Sequence, residues 1–164
     1  MDLGHWVMKS NTTAEAVDLE SMPGHCIRRL QQIAVAVFLQ ETESHGMTPV
    51  QYSALQGVMN APGIDQRSLA RSIGLDTSTI GSVIDRLEVR GLVSRNASPT
   101  DKRVRMLTLT PMGREALEAV IPSMLQAQER MLDPLTKPER AEFMRMLRIL
   151  VVANNELSRA PGEV

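Results

Sequence analysis

Thr77, Ser78, Gly81, Ser82, Asp85 and Arg86 recur at helical spacing opposite a stripe of Ile80, Val83, Ile84 and Leu87. Thr79 lies beside that polar face. Hydroxyls on small residues can hydrogen-bond base edges or phosphate oxygens, and lack of bulk lets the backbone come close to either. A helix N-terminus adds a partial positive charge that favours phosphate. Arg86 is the one long cation on the face. Alone, this pattern fits an ordinary exposed amphipathic helix as well as one that enters a nucleic-acid groove.

A cluster of cations follows. Arg95, Lys102, Arg103 and Arg105 sit on two strand-like segments and the turn-rich loop between them, Asn96 to Arg103. A basic hairpin can reach into a minor groove, whose negative potential favours arginine. Asp101, among these cations, reads as a structural partner for Arg95 or Arg103, and a solvated charge run is the plainer alternative for the loop.

Other chemistry finds little support. His5, His25 and His45 are scattered, and no His/Cys cluster has metal-ligand spacing, so neither a metal nor a cofactor is expected. There is no glycine-rich phosphate loop after a strand and no recognisable pair of nucleophile and base. An enzyme is therefore not expected. Cys26 is the single cysteine, which excludes an internal disulfide and fits a reducing cytoplasm.

The bulk numbers are neutral on the partner. Across 164 residues, 18 basic side chains face 19 acidic ones, a net charge of −1. The balance hides a local bias, because Arg67 to Arg105 holds eight basic residues and only Asp76, Asp85, Glu88 and Asp101 as acids. No run reaches the ~20 apolar residues of a membrane span. The first residues lack a basic-then-apolar export signal, so a cytoplasmic protein is expected. The 11 methionines and scarce aromatics suggest a Leu/Met/Ile core, or a pocket able to repack around a ligand.

The elements that must position these residues follow the order α-α-α-α-β-β-α-α. The spacing predicts a first helix from Pro23, capped by Ser21, to near Gly46. Thr48 and Gln51 have capping-box spacing for a second helix that ends before Pro62 and Gly63. Asp65 caps a short third helix stopped by Gly74, and Asp76 or Thr77 caps a fourth stopped by Gly91. Residues 92–95 and 104–109 alternate as a hairpin. Thr110 and Pro111 open a fifth helix to about Leu132, bent near Pro122. Thr136 and Glu139 open a sixth, carrying Phe143, Met146, Leu147, Leu150, Val151 and Leu157. Two short helices joined by Gly74, Leu75 and Asp76 make a helix-turn-helix. The fold class expected is mainly α with a small β-hairpin wing.

The segments Gly91 to Arg95, Asp101 to Arg103 and Leu107 to Gly113 together resemble the MarR family of bacterial transcription regulators. The resemblance covers about residues 24 to 157. Ser98 stands where many relatives carry an acidic wing residue. The resemblance implies a homodimer on a palindromic double-stranded DNA operator, with each winged helix in one major groove. It divides the chain into a flexible tail at 1–21 containing Trp6, dimerisation helices at 22–46 and 111–158, and a winged helix-turn-helix lobe at 48–110. DNA contacts are then expected from Ser68, Thr77, Ser78, Thr79, Ser82, Arg86, Arg95, Lys102, Arg103 and Arg105.

The family reading also implies an effector. A small aromatic carboxylate or its CoA thioester would meet His25, Arg28, Arg29, Gln32, Tyr52 and Gln56, with an arginine clamping the carboxylate by a bidentate bond. The run His25 to Gln32 resembles regulators of aromatic-compound catabolism; Arg28 and Arg29 as plain surface ion pairs are the alternative. A second candidate is thiol-based peroxide sensing by Cys26 beside His25, Arg28 and Arg29, although such sensors use two tyrosines and this chain has only Tyr52. A third is an interaction module without DNA.

Overall fold

Four of the helices begin on an oxygen that receives the first free N–H groups. Thr48 accepts from the Gln51 amide while the Gln51 side chain accepts from the Thr48 amide, the reciprocal box that opens α2 (Pro49–Asn60). Asp65 accepts from the Arg67 and Ser68 amides at α3 (Gln66–Ser72). Asp76 accepts from the Thr79 amide at α4 (Thr77–Val89). Thr110 accepts from the Gly113 amide at α5 (Pro111–Leu132). The remaining helices are α1 (Pro23–Glu41) and α6 (Lys137–Ala153). This computed structural model describes residues 18–98, 103–158 and 160–162. Trp6, Asp101 and Lys102 lie outside them, as does most of the predicted tail.

Several predicted details differ. Ser21 does not cap α1: its hydroxyl donates to the Asp18 carbonyl at 2.8 Å within a 3-10 turn, and Met22 takes the cap position without a side-chain bond. Pro23 at the first position needs no N–H partner, so the helix starts without one. α1 stops at Glu41 rather than near Gly46, and a further 3-10 turn, Glu43–His45, carries the chain to that glycine. Pro122, where a bend is expected, lies inside the single continuous helix α5. Leu157 belongs to a 3-10 turn after α6 rather than to the helix.

The hairpin is β2 (Val93–Ala97) and β3 (Arg105–Leu109), antiparallel, with Val93 opposite Leu109 and Ala97 opposite Arg105. A third strand, β1 (Ile64–Asp65), pairs the other edge of β3 and gives the order β1-β3-β2. Two residues are too short to show strand alternation, which is why the sequence pattern does not reveal it.

The core is one aliphatic cluster. Leu55 and Val58 of α2, Leu69 of α3, Ile80, Ile84 and Leu87 of α4, Val93 and Leu107 of the sheet are all fully buried. Leu117 and Val120 join them, so the packing of the lobe extends past residue 110 into the first half of α5. Truncating any one of the large aliphatics to alanine would cost about 2–5 kcal/mol. α6, by contrast, buries none of its residues among those described.

The junction of lobe and α5 is held by backbone contact. The Thr110 hydroxyl donates to the Gly91 carbonyl at 2.6 Å, and its amide donates to the Leu92 carbonyl at 3.1 Å. Gly113, one turn later, passes so close to Leu92 that a Cβ would overlap the Leu92 carbonyl. The Thr-Pro-Met-Gly run is thus a packing requirement, because the obstacle is backbone and cannot rotate away. Gly113→Ala is expected to lower unfolding free energy by at least about 2 kcal/mol, read from urea denaturation; an unchanged midpoint would show that the junction yields freely.

Candidate nucleic-acid interface

α4 is oriented from beneath by its apolar stripe. Ile80, Val83, Ile84 and Leu87 are buried, which leaves Thr77, Ser78, Ser82, Asp85 and Arg86 exposed and Thr79 half-buried. The turn into it is tight: Leu75 N–H returns to the Ala70 carbonyl at 2.8 Å, and Gly74 has φ +66°, a left-handed conformation that favours glycine. At the far end Arg90 donates to the Gly46 carbonyl at 3.0 Å and to Gln51 at 3.4 Å, pinning α4 to the start of α2.

The predicted contacts divide on inspection. Arg95 does not point outward. Its side chain is only 22% exposed and bridges Asp85 at 2.5 Å and Glu88 at 2.8 Å, both on α4. Its Nε is buried with no partner among the described residues. Arg95 thus ties β2 to α4 through these two carboxylates, while Asp101, the predicted partner for Arg95 or Arg103, lies outside the described residues. Ser68 donates its hydroxyl to Asp65 at 2.6 Å and serves the α3 cap. Hydrogen bonds from the Ser68 hydroxyl and amide hold the Asp65 carboxyl below the usual range.

Asp76 also changes the prospect of phosphate at the α4 N-terminus. Its carboxylate already accepts from the Thr79 amide at 2.8 Å, and the protein's own anion occupies that place. Hydroxyl donation from Ser78, then from Thr79, pulls the Asp76 carboxyl far below the ordinary carboxylate range.

The outward cations gather elsewhere. A cleft of about 540 Å³ is lined by Asp65, Gln66, Arg67, Ser68, Arg103, Val104 and Arg105. Arg67 was not singled out by the sequence, since a lone cation in a first helical turn carries no pattern; the pairing with the wing exists only in three dimensions. The Gln66 amide lies 3.3 Å from where a Cβ on Gly81 would stand, so the cleft abuts the small face of α4. Arg67, Arg86 and Arg105 have no side-chain ion pair or hydrogen bond among the described residues.

The predicted effector residues fall into two clefts rather than one. Tyr52 and Gln56 line a space of about 430 Å³ between α2, β1 and α3, with Ser53, Asn60, Ile64 and Ile73. The Tyr52 hydroxyl donates to Gln56 at 3.4 Å, Gln56 to Asn60 at 2.8 Å, and burial pushes the Tyr52 phenol up. The Tyr52 ring also meets Phe38 of α1 at 6.0 Å. His25, Cys26 and Arg29 line another cleft, of about 510 Å³, with Glu20, Leu30 and Ile33. Arg28 donates to Gln32 at 3.3 Å along α1, and neither lines either cleft. The exposed Cys26 thiol donates to the Glu20 carbonyl at 3.2 Å. Among the described residues no His, Cys, Asp or Glu group could hold a metal, and no helix is long and apolar enough to cross a membrane.

Residues 47–104 match the model of the MarR family. The PcaV transcriptional regulator of Streptomyces coelicolor is 34% identical, with 85% of this chain and 98% of that one aligned at a TM-score of 0.77. The chain belongs to the MarR family. It is similar to BpsR of Bordetella bronchiseptica, whose DNA binding is regulated by 6-hydroxynicotinic acid, at 27% identity over 83% of this chain and 97% of that one, TM-score 0.78. It is also similar to the transcriptional repressor CouR, solved on a 23-mer DNA duplex, at 28% identity over 81% of this chain and 94% of that one, TM-score 0.77. MarR-family winged helices are DNA-binding transcription regulators, and the relatives of this chain are regulators rather than enzymes.

The two kinds of arginine should separate in a salt titration of duplex binding. Arg103→Ala and Arg105→Ala are each expected to weaken binding and reduce the slope of log K against log salt by roughly one unit. Arg95→Gln is expected to weaken binding with the slope unchanged, because Arg95 holds the wing. An equal slope loss in Arg95→Gln would make it a phosphate contact.

Proposed function

We propose that this chain is a repressor that binds a palindromic operator as a homodimer and leaves it when a small aromatic carboxylate, or its CoA thioester, binds. The observation that carries the DNA half is the contiguity of the exposed α4 face with the Arg67–Arg103–Arg105 cleft. Ser78, Thr79, Ser82 and Arg86 enter a major groove, and Arg103, Lys102 and Arg105 reach the adjoining backbone or minor groove. Two lobes related by a two-fold axis then meet half-sites about one helical turn apart, near ~34 Å. Such a regulator works beside the chromosome, in the cytoplasm.

Self-association is favoured by the apolar surface outside the lobe. Ile27 and Ile33 of α1, Leu125 of α5, and Ile149, Val151 and Val152 of α6 are all exposed in the single chain. Residues of this kind at a helical stripe mark an interface.

The effector half rests on the two clefts. Arg29 offers a planar donor fork for a carboxylate, and Tyr52 with Gln56 offers a half-buried polar edge. The aromatic character of the ligand follows the likeness to BpsR, a protein regulated by 6-hydroxynicotinic acid. Binding changes the separation of the recognition helices, so the ligand must prefer the dimer geometry that does not fit the operator. A near-complete switch needs about 5 kcal/mol of differential affinity.

Duplex release titrated with aromatic acids and with hydrogen peroxide tests the reading. Release by an aromatic acid is expected in wild type and in Cys26→Ser, with a weaker response in Arg29→Gln. Release by peroxide alone, lost in Cys26→Ser, would overturn it in favour of thiol sensing.

A further inference from the structure

Three hydroxyls on the outer face of α4, those of Ser78, Thr79 and Ser82, have already given their protons. Ser78 Oγ donates to Asp76 Oδ1 at 2.6 Å, Thr79 Oγ1 donates to Asp76 Oδ2 at 2.6 Å, and Ser82 Oγ donates to the Thr79 carbonyl at 2.9 Å. A hydroxyl carries one hydrogen and two lone pairs, so each of the three presents only lone pairs outward. The first two bonds are the short, charge-assisted kind, stronger than a neutral pair. An ionised carboxylate accepts and never donates, so the direction of both bonds is fixed.

Serine and threonine by themselves read either donors or acceptors on a base edge. We infer that Asp76 removes this ambiguity, making Ser78 and Thr79 acceptors that select exocyclic amino groups, N6 of adenine or N4 of cytosine, in the major groove. The inference rests on the reading that α4 enters that groove. Phosphate oxygens, which only accept, are disfavoured partners for these hydroxyls, and the negative charge of Asp76 reinforces the discrimination. Donor work on this face is left to the Thr77 hydroxyl and to Arg86, neither of which has a side-chain partner among the described residues; Arg86 suits the acceptors of guanine or a phosphate. Asp76 acts through Ser78 and Thr79 and is a positioning residue.

The test uses the full chain and has two stages. Selection from randomised duplexes with wild type, Ser78→Ala and Thr79→Val identifies the base pairs whose preference each hydroxyl supplies. At those pairs, either the amino group is deleted (purine for adenine, 2-pyrimidinone for cytosine) or the carbonyl oxygen (2-aminopurine for guanine, 5-methyl-2-pyrimidinone for thymine). Amino deletion is expected to weaken wild-type binding roughly three- to tenfold, the size of one net hydrogen bond. It should cost the matching hydroxyl-less variant nothing further, and carbonyl deletion should leave wild type unchanged. Asp76→Asn keeps a competent helix cap but brings an amide N–H that donates to a hydroxyl and frees its proton, so the amino-deletion penalty should fall.

A penalty on carbonyl deletion instead, or a full amino-deletion penalty that persists in Asp76→Asn, would overturn the inference. So would Ser78→Ala and Thr79→Val both retaining every wild-type base preference, with operator binding itself intact. Failure of wild type to enrich any sequence would overturn the proposed function, and this inference with it.

Discussion

The bridge from Arg95 to Asp85 and Glu88 joins the two parts of the molecule that must meet DNA together. Its importance is geometric. Exposed ion pairs contribute about 0–1 kcal/mol each, and removing the bridge would not unfold the lobe. Stability comes from the aliphatic stripe of α4, where burying each large side chain is worth about 1.5–3 kcal/mol. The stripe fixes which face of α4 looks outward but says nothing about where the hairpin stands relative to it. Arg95 supplies that second coordinate, because β2 and α4 cannot pivot apart without breaking two carboxylate bonds.

The same bond alters the electrostatics of the interface. Asp85 and Glu88 would repel phosphate from the recognition helix, and Arg95 offsets part of that charge from within the lobe, one cation against two carboxylates. The exposed arginines on the side proposed to meet the duplex are Arg67, Arg86, Arg103 and Arg105, on the small face of α4 and in the adjoining cleft. A chain with a net charge of −1 can still present cations on this side, because Arg95 offsets part of the charge of Asp85 and Glu88 while the Asp65 and Asp76 carboxylates are turned to their helix caps. Charge totals hide this; the placement of charge decides it.

Much of the fold was legible because it obeys local rules. Thr48 with Gln51, Asp65, Asp76 and Thr110 act on residues within one helical turn, so their pattern survives in one dimension. The stripe of Ile80, Val83, Ile84 and Leu87 fixed both the helix and its buried face. What escaped depends on distant pairing. β1 exists only because β3 offers an edge, Arg67 gains meaning only beside Arg103 and Arg105, and Arg95 looks like any wing cation until Asp85 and Glu88 are seen opposite it. The effector residues were the least legible. Their types suit a carboxylate, but composition cannot place Tyr52 and Gln56 in one cleft and His25 and Arg29 in another.

The proposed homodimer would hold two winged helices at a fixed separation, which makes the spacing of the half-sites the most direct quantity to measure. The selected operator and the same operator lengthened at its centre by about half a helical turn (roughly 5 base pairs) present identical half-sites, the second pair rotated to opposite faces of the duplex. A homodimer of these lobes should bind the first tightly and fall towards single-half-site affinity on the second. Equal affinity for both duplexes would contradict the account, since the lobes would then be reading DNA independently of each other.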